Sequence, residues 1–511
     1  MERFLCRHKG RIAASISGFD RMIFRGSLLW MTHAVGMGKF LNSQGVLLKD
    51  FGTYAEGLSN QIKEHAQEMS RRTGRPMMYL NSWRESKDAA VRKIIERDQI
   101  QEGLVCILSC LESGGSFGIE KDRIQKQLRL VRRDRRCLHF YFYYLDREFG
   151  LMHIRLQSWA PFSIQIYVNG REWLARQMTR RGIGYTKHDN CFTEIARIDK
   201  AQQLMVQLDQ YAWVAKLTGW AEQVHPLMKR GASPQLKGYY WTMNQAEYAT
   251  DILFREATGL KQVYPGLIRH ALDQFSCRDV LRFLGRRISG LFEGEVRSHC
   301  GSRVEGRRVK HWVEENSIKM YDKAGCVLRI ETTINNTRRF KVRRKVTRKG
   351  RKVFTQVRMR KGVVDIRRRV ELCRNANARY LDALAVVGDA TPSHQVLDPV
   401  SQPVVSHRGR CRPLRPVSPD ESRWFSEMLR AEHLLSGIRN RDLRKVLYPP
   451  HLHSDRRSAS AAVTRRLQLF RAHGLIQKVP HAHYYRVTKK GHIVMSTALR
   501  FRTTDVALLA A

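Results

Sequence analysis

Acidic residues are scarce in this chain. Across 511 residues, 47 Asp and Glu stand against 92 Lys and Arg, a formal charge of +45. Such an excess repels itself in a free small-molecule enzyme and suits a polyanionic partner, because pairing cations with phosphates releases counterions. DNA is the expected partner and RNA the alternative. Matched cysteines are missing too. The ten cysteines show no C-x-x-C pair and no repeated spacing, which argues for reduced thiols and against a zinc ribbon or a disulfide framework. No run of about 18 apolar residues occurs, so no membrane partner is expected. The opening stretch "MERFLCRHKGRIAASISGFDRMIFRG" lacks the continuous apolar core of a secretory signal. No organic cofactor is expected.

What is present predicts an α+β protein: a mixed or antiparallel sheet body with packed helices, a basic β-ribbon and a small C-terminal domain. Residues 1–102 read as mainly helical. Residues 103–388 read as the α+β body, with "GLVCILSCLES" as a buried strand, "SGGSFG" as a loop and "HFYFYYLDREFG" as an aromatic strand and turn. Residues from Lys200 to Leu291 read as helical. No long internal repeat is visible. Between Arg338 and Arg369 there are sixteen Lys and Arg and one acid, Asp365. The alternating apolar residues there predict a ribbon at 337–370, turning at "TRKGRK". Its phosphate-binding candidates are Arg338, Arg339, Lys341, Arg343, Arg344, Lys345, Arg348, Lys349, Arg351 and Lys352. Residues 389–419, rich in Pro, Ser and Val, read as a linker to a domain at 420–511.

The stretch "SIKMYDKAGCVLRIETTI" predicts two strands around a "DKAG" turn. It resembles the paired strands of phage and plasmid rolling-circle replication initiators, where a Y-D-K strand precedes an R-x-E strand. The resemblance implies a nuclease that nicks a strand through a tyrosyl ester, assisted by Mg²⁺ or Mn²⁺. It makes Tyr321 the nucleophile, Glu331 the metal ligand, and Lys319 and Arg329 the phosphate clamps. Those nucleases carry an H-x-H pair on the sheet. Here the H-x-H strings begin at His451 and His481, outside the candidate hairpin. The other reading of the hairpin is a polar sheet face with cross-strand ion pairs. An alternative catalytic set is a group of dispersed carboxylates drawn from Asp20, Glu112, Asp146 and Glu331.

The C-terminal order of helices, "ESRWFSEMLRAEHLLSG", "RNRDLRKVLYP" and "SASAAVTRRLQLFRAHG", followed by "LIQKVPHAHYYRVTKKGHIVM", resembles a MarR-like winged helix. That resemblance implies DNA binding by the third helix through Ser458, Ser460, Thr464, Arg465 and Arg466. Lys478, His481, His483, Lys489 and Lys490 would lie on or near the wing. Segments such as "VNGREWLARQ" and "GIRNRDLR" resemble a broad class of bacterial proteins of mobile-element type. The reduced thiols make the cytoplasm, at the bacterial nucleoid, the expected setting. Two functions are open: a replication or transposition nuclease, or a non-enzymatic winged-helix transcriptional regulator or RNA-binding protein.

Overall fold

The computed structural model describes residues 1–80, 86–228, 238–286, 294–303, 306–348, 350–387, 393–406, 409–430, 433–434, 437–449, 455–480 and 482–504. A short helix, α1 (Glu2–Arg7), precedes strand β1 (Ile12–Ser27). Helices α2 (Ala34–Ser43) and α3 (Phe51–Thr73), strand β2 (Met77–Tyr79) and helix α4 (Lys87–Asp98) follow. A four-strand meander, β3 (Gly103–Asp122), β4 (Gln127–Asp146), β5 (Gly150–Gln157) and β6 (Ile164–Asn169), then returns to pair with β1. Helix α5 (Gly170–Arg180) closes this half. The hairpin β7 (Tyr185–His188) and β8 (Cys191–Ile195), with helices α6 (Ile198–Asp209) and α7 (Trp213–Val224), leads to β9 (Tyr240–Phe254).

From β9 the same connectivity starts again. Helices α8 (Ala257–Asp273) and α9 (Cys277–Phe283) precede a second meander, β10 (Arg297–Arg303), β11 (Gly306–Val313), β12 (Asn316–Lys323) and β13 (Val327–Ile334), which returns to β9. A protruding ribbon, β14 (Lys341–Arg348) and β15 (Arg351–Arg358), precedes the closing helix α10 (Ile366–Leu384). The body is an eleven-stranded sheet in the order β10-β11-β12-β13-β9-β1-β6-β5-β4-β3-β2. Among the described residues only the β2–β3 pair of this sheet is parallel. Strands β1 and β9 run antiparallel at the centre, so the two halves stand about an approximate two-fold axis.

Alternation divides the second half-sheet into two faces. Ile318, Met320, Ile330 and Thr332 face helix α10, where Asn377 accepts from Thr332 (2.6 Å) and donates to the Tyr248 carbonyl (3.1 Å). Lys319, Tyr321, Arg329 and Glu331 face the other way. In β1 a bulge between Phe19 and Met22 sets Asp20 and Arg21 opposite the single residue Glu247. This re-aims the strand next to the polar face.

Several expectations need correction. The first hundred residues do contain helices, but residues 12–27 form the central strand, so they belong to the body. The "SGGSFG" stretch continues β3 rather than looping. It pairs with the basic residues of β4, whose charges are satisfied beside water and so do not break the strand. The expected helical run from Lys200 is interrupted by β9, whose sequence "YWTMNQAEYATDILF" has the β-branched and aromatic content of a strand. The expected linker is ordered where described: Val400 and Leu414 are buried in a second core with Trp424, Phe425, Val463 and Phe470. That core is built on helices Pro419–Met428, Asn440–Leu447 and Arg456–Ala472, followed by a short hairpin, Ile476–Lys478 with Tyr485–Val487. The stretch "KKGHIVM" that follows this hairpin opens a further helix, Lys489–Thr503. The Thr488 side chain caps it by accepting from the Gly491 amide, which draws Lys489 and Lys490 into the first helical turn.

Helix α5 starts against β1. A Cβ on Gly170 would lie 2.3 Å from the Phe19 carbonyl oxygen, a backbone atom that cannot swing aside. Gly170→Ala is expected to cost about 1–3 kcal/mol, read as a lower urea midpoint with an unchanged slope.

Candidate functional site

The cross-strand register builds the site. One row of neighbours runs Arg308–Tyr321–Arg329–Asp251, and the next runs Lys310–Lys319–Glu331–Ala249. All of these residues share the face away from α10. Arg329 is fully buried. Its Nε and Nη2 donate to the two oxygens of Asp251 (2.6 and 3.0 Å), its Nη1 to Asp20 (2.7 Å), and Nη2 also to the Asn190 carbonyl (2.8 Å). Asn190 sits in the β7–β8 turn and donates to the same Asp20 oxygen (2.7 Å). Arg171, at the start of α5, adds a second buried guanidinium 3.0 Å from Asp251. Burial opposes ionisation of Asp251, but the two arginines outweigh it and hold the carboxyl below its usual range. Asp20 goes the other way. Burial dominates, and its pKa is raised to about 6 despite Arg329.

Arg329 is therefore not a phosphate clamp. Its donors are committed inside the protein, and it acts by positioning Asp20 and Asp251. The neighbouring cations on this face are Arg308, Lys319 and the buried Lys323, which donates to Asp189 (3.2 Å). A cavity of about 160 Å³ is lined by Asp20, Glu247, Arg308, Lys319, Tyr321, Lys323 and Glu331, among others. Glu331 accepts from Lys319 (2.5 Å) and, on its other oxygen, from the Tyr321 hydroxyl (2.8 Å). Lys319 also donates to Glu247 (3.2 Å). Burial disfavours the Lys319 charge, yet the two glutamates raise its pKa overall. Burial first and then the Glu331 charge push the Tyr321 phenol well above its ordinary value. Tyr321 thus needs a base to ionise, and Glu331 is hydrogen-bonded to its proton. Asp20 Oδ1 is buried without a partner.

A divalent ion on Glu331 does not fit this arrangement. Both Glu331 oxygens are taken, and the ammonium of Lys319 fills the cationic position between Glu331 and Glu247. Among the described residues no group of three His, Cys, Asp or Glu is placed to hold a metal. His451 and the neighbouring histidine of that string lie outside the described residues, as does His481.

The dispersed acids do not meet. Asp20 joins the cavity. Glu112 lies on β3, six strands from β13, about 29 Å away at 4.8 Å per strand. There it accepts from Lys87 (2.9 Å), Tyr141 (2.8 Å) and Arg155 (3.0 Å). Burial works against its charge, but these partners bring its pKa down to about 2. Asp146 closes the β4–β5 turn by accepting from the amides of Glu148 and Phe149 (2.8 and 2.9 Å). The residues that sequence reasoning missed are Asp251, Glu247, Asn190, Arg171, Arg308 and Lys323. A lone acid inside the apolar run "YATDILF" was the available signal, since a buried carboxylate needs a partner.

The ribbon exists as expected. Arg338, Arg339, Lys341, Arg343, Lys345, Arg351 and Lys352 are exposed. Arg344 is held by Asp365 (2.5 Å), Arg348 ends β14, and Lys349 lies outside the described residues. In the C-terminal unit Ser458 and Arg465 are exposed on helix Arg456–Ala472. Ser460 and Thr464 instead bond Asn440 of the preceding helix (3.1 and 2.9 Å). Arg466 pairs with Glu421 (3.2 Å) and with Asp420, so it braces the unit and does not face outward. Lys478, His483, Lys489 and Lys490 are exposed. No helix among the described residues is long and apolar enough to cross a membrane. No protein-family model, curated protein or solved structure matches the chain.

Breaking the buried cage should be costly. Arg329→Met leaves Asp20 and Asp251 undercompensated and is expected to lose about 3–5 kcal/mol in denaturant unfolding. Asp20 adds a pH signature. Between pH 3.8 and about 6 the folded protein retains a proton on Asp20 that the unfolded chain has lost. Its contribution to stability therefore falls as pH rises through that window. Asp20→Asn should flatten the fall, measured as the unfolding midpoint at pH 4.5 and 7.

Proposed function

We propose that this chain is a DNA-binding protein of a mobile element that cuts and transfers a strand at Tyr321 during replication or transposition. One observation carries this reading: the Tyr321 hydroxyl donates to Glu331 inside a polar cavity edged by Arg308, Lys319 and Lys323. A phosphodiester in that cavity meets cations on one side and a tyrosine with an adjacent base on the other. Tyr321 Oη attacks phosphorus and its proton passes to Glu331. The bond from phosphorus to the departing nucleoside oxygen breaks, and that oxygen takes the proton of the Asp20 carboxyl. The products are a tyrosyl phosphodiester and a free hydroxyl end, and an incoming hydroxyl reverses the sequence to complete transfer. Lys319 keeps Glu331 and Glu247 from repelling the phosphate. No step runs through a metal ion.

The ribbon supplies sequence-independent grip. The C-terminal unit acts as a winged helix that reads duplex DNA with Arg465 and Ser458 and touches backbone with Lys478. A second reading, a non-enzymatic regulator or RNA binder, draws support from the full pairing of Glu331, which also suits a charge-paired sheet face.

Labelled single- and double-stranded DNA, incubated with Mg²⁺, with Mn²⁺ or with chelator, separates the readings. A covalent adduct is expected in the parent and lost in Tyr321→Phe, and Glu331→Gln should slow cleavage by about 10²–10⁴-fold. Cleavage only with metal would require Lys319 to leave the glutamates. No cleavage anywhere, with both variants merely less stable, establishes the second reading.

Binding has its own test. Replacing Arg343, Lys345 and Arg351 together by Gln should weaken all sequences alike and flatten the slope of log affinity against log salt. Arg465→Ala should lose about 1–3 kcal/mol of preference for a selected duplex. Arg466→Ala should lower the unfolding midpoint of the C-terminal unit through loss of its Glu421 pair.

A further inference from the structure

The two faces of the ribbon differ. The register pairs Lys341 with Arg358, Arg343 with Gln356, Lys345 with Phe354, and Thr347 with Lys352, so these residues share one face. Every one of them is exposed. Val342, Arg344, Val346, Val353, Thr355 and Val357 share the other face. That side is fastened to the body: Arg344 pairs with Asp365, and Asp365 also accepts from the Arg360 amide (2.7 Å). The outer face is therefore cationic along its length and carries one ring. Phe354 is 57% exposed, with the Lys345 ammonium 5.3 Å and the Arg343 guanidinium 5.8 Å from its ring centre. A phenylalanine left in water in the middle of a cationic strand pair contributes nothing to the core.

We infer that this outer face binds unpaired nucleic acid, with Phe354 stacking on a nucleobase while Arg343, Lys345 and Lys352 hold the flanking phosphates. The inference rests on the nucleic-acid reading above and is independent of the chemistry at Tyr321. Charge complementarity selects a polyanion, and the ring selects a polyanion with flat apolar faces. Unpaired bases fit better than a duplex, whose base faces are already stacked and cost a few kcal/mol to open. Stacking one base on an aromatic ring is worth about 1–3 kcal/mol, and it tolerates any sequence because every base has a π-face. The neighbouring cations strengthen the contact by holding the ring in place and by pairing with phosphate on either side.

The test compares four probes on the full chain: a single-stranded oligothymidine, an oligouridine, a single strand of the same length made of abasic sites, and a duplex. Phe354→Ala should weaken the oligothymidine about 5- to 150-fold and leave the abasic strand within about twofold, because only the base contact is lost. Phe354→Trp should restore or tighten binding. Arg343→Gln with Lys345→Gln should weaken the base-bearing and abasic strands alike. An equal effect of Phe354→Ala on uridine and thymidine strands means the site accepts RNA as well as DNA, which the inference allows. Equal loss on the abasic strand, a larger loss on the duplex than on single strands, or no loss on any probe overturns it. A parent chain that binds none of the four overturns the nucleic-acid reading too, and so marks that failure apart from the failure of Phe354 alone.

Discussion

A single guanidinium ties the body together. Arg329 belongs to β13, yet its hydrogen bonds reach β9 through Asp251, β1 through Asp20 and the β7–β8 turn through Asn190. Those partners come from both halves of the sheet and from the segment between them. An isolated buried arginine would be prohibitively expensive, and so would two isolated buried carboxylates. Together, with Arg171 as the second cation, they satisfy one another only if β1, β9 and β13 lie side by side in this order. The cage thus rewards one arrangement of the halves over others that would bury the same apolar surface.

Everything at the candidate site follows from that placement. The bulge in β1 brings Asp20 to the polar face, where Arg329 and Asn190 use one of its oxygens and leave the other buried without a partner. The next row of the sheet sets Lys319 between two glutamates and Tyr321 against one of them. Lys319, Glu331 and Glu247 neutralise one another locally, which limits repulsion on this face of a very basic protein. The surplus positive charge is placed outward instead, on the ribbon face that carries Phe354 and on the exposed side of the helix Arg456–Ala472. The division is between charge used inside to hold geometry and charge left outside, facing solvent.

Much of the second half was legible in the sequence. The Tyr321 and Glu331 strands, their turn, the basic ribbon and the C-terminal run of helices all announce themselves by local alternation, turn residues and composition. Those signals are short-range, and short-range patterns survive in the fold when nothing distant competes with them. The first half was harder to read. The long strands β1 and β9 carry lone acids amid apolar and aromatic residues, and β3 runs through a glycine-rich stretch that looks like a loop until β4 pairs with it. The doubling of the fold leaves no trace as a repeat in the sequence, because a strand–helix–meander pattern accepts many apolar residues at each position.

The sequence alone determined that the chain carries far more positive charge than its own acids can match, and it placed the strands, turn residues and ribbon that local periodicity can specify. It also put a tyrosine, a lysine, an arginine and a glutamate on two neighbouring strands. Only the tertiary structure decided what those four do. Arg329 lost its role as a clamp because Asp20 and Asp251, 309 and 78 residues away in the chain, surround it, and Lys319 became the partner of two glutamates. Arg466 turned inward for the same reason. A charged side chain is defined by the groups that surround it, and in a sheet those groups come from strands whose separation along the chain no local pattern records.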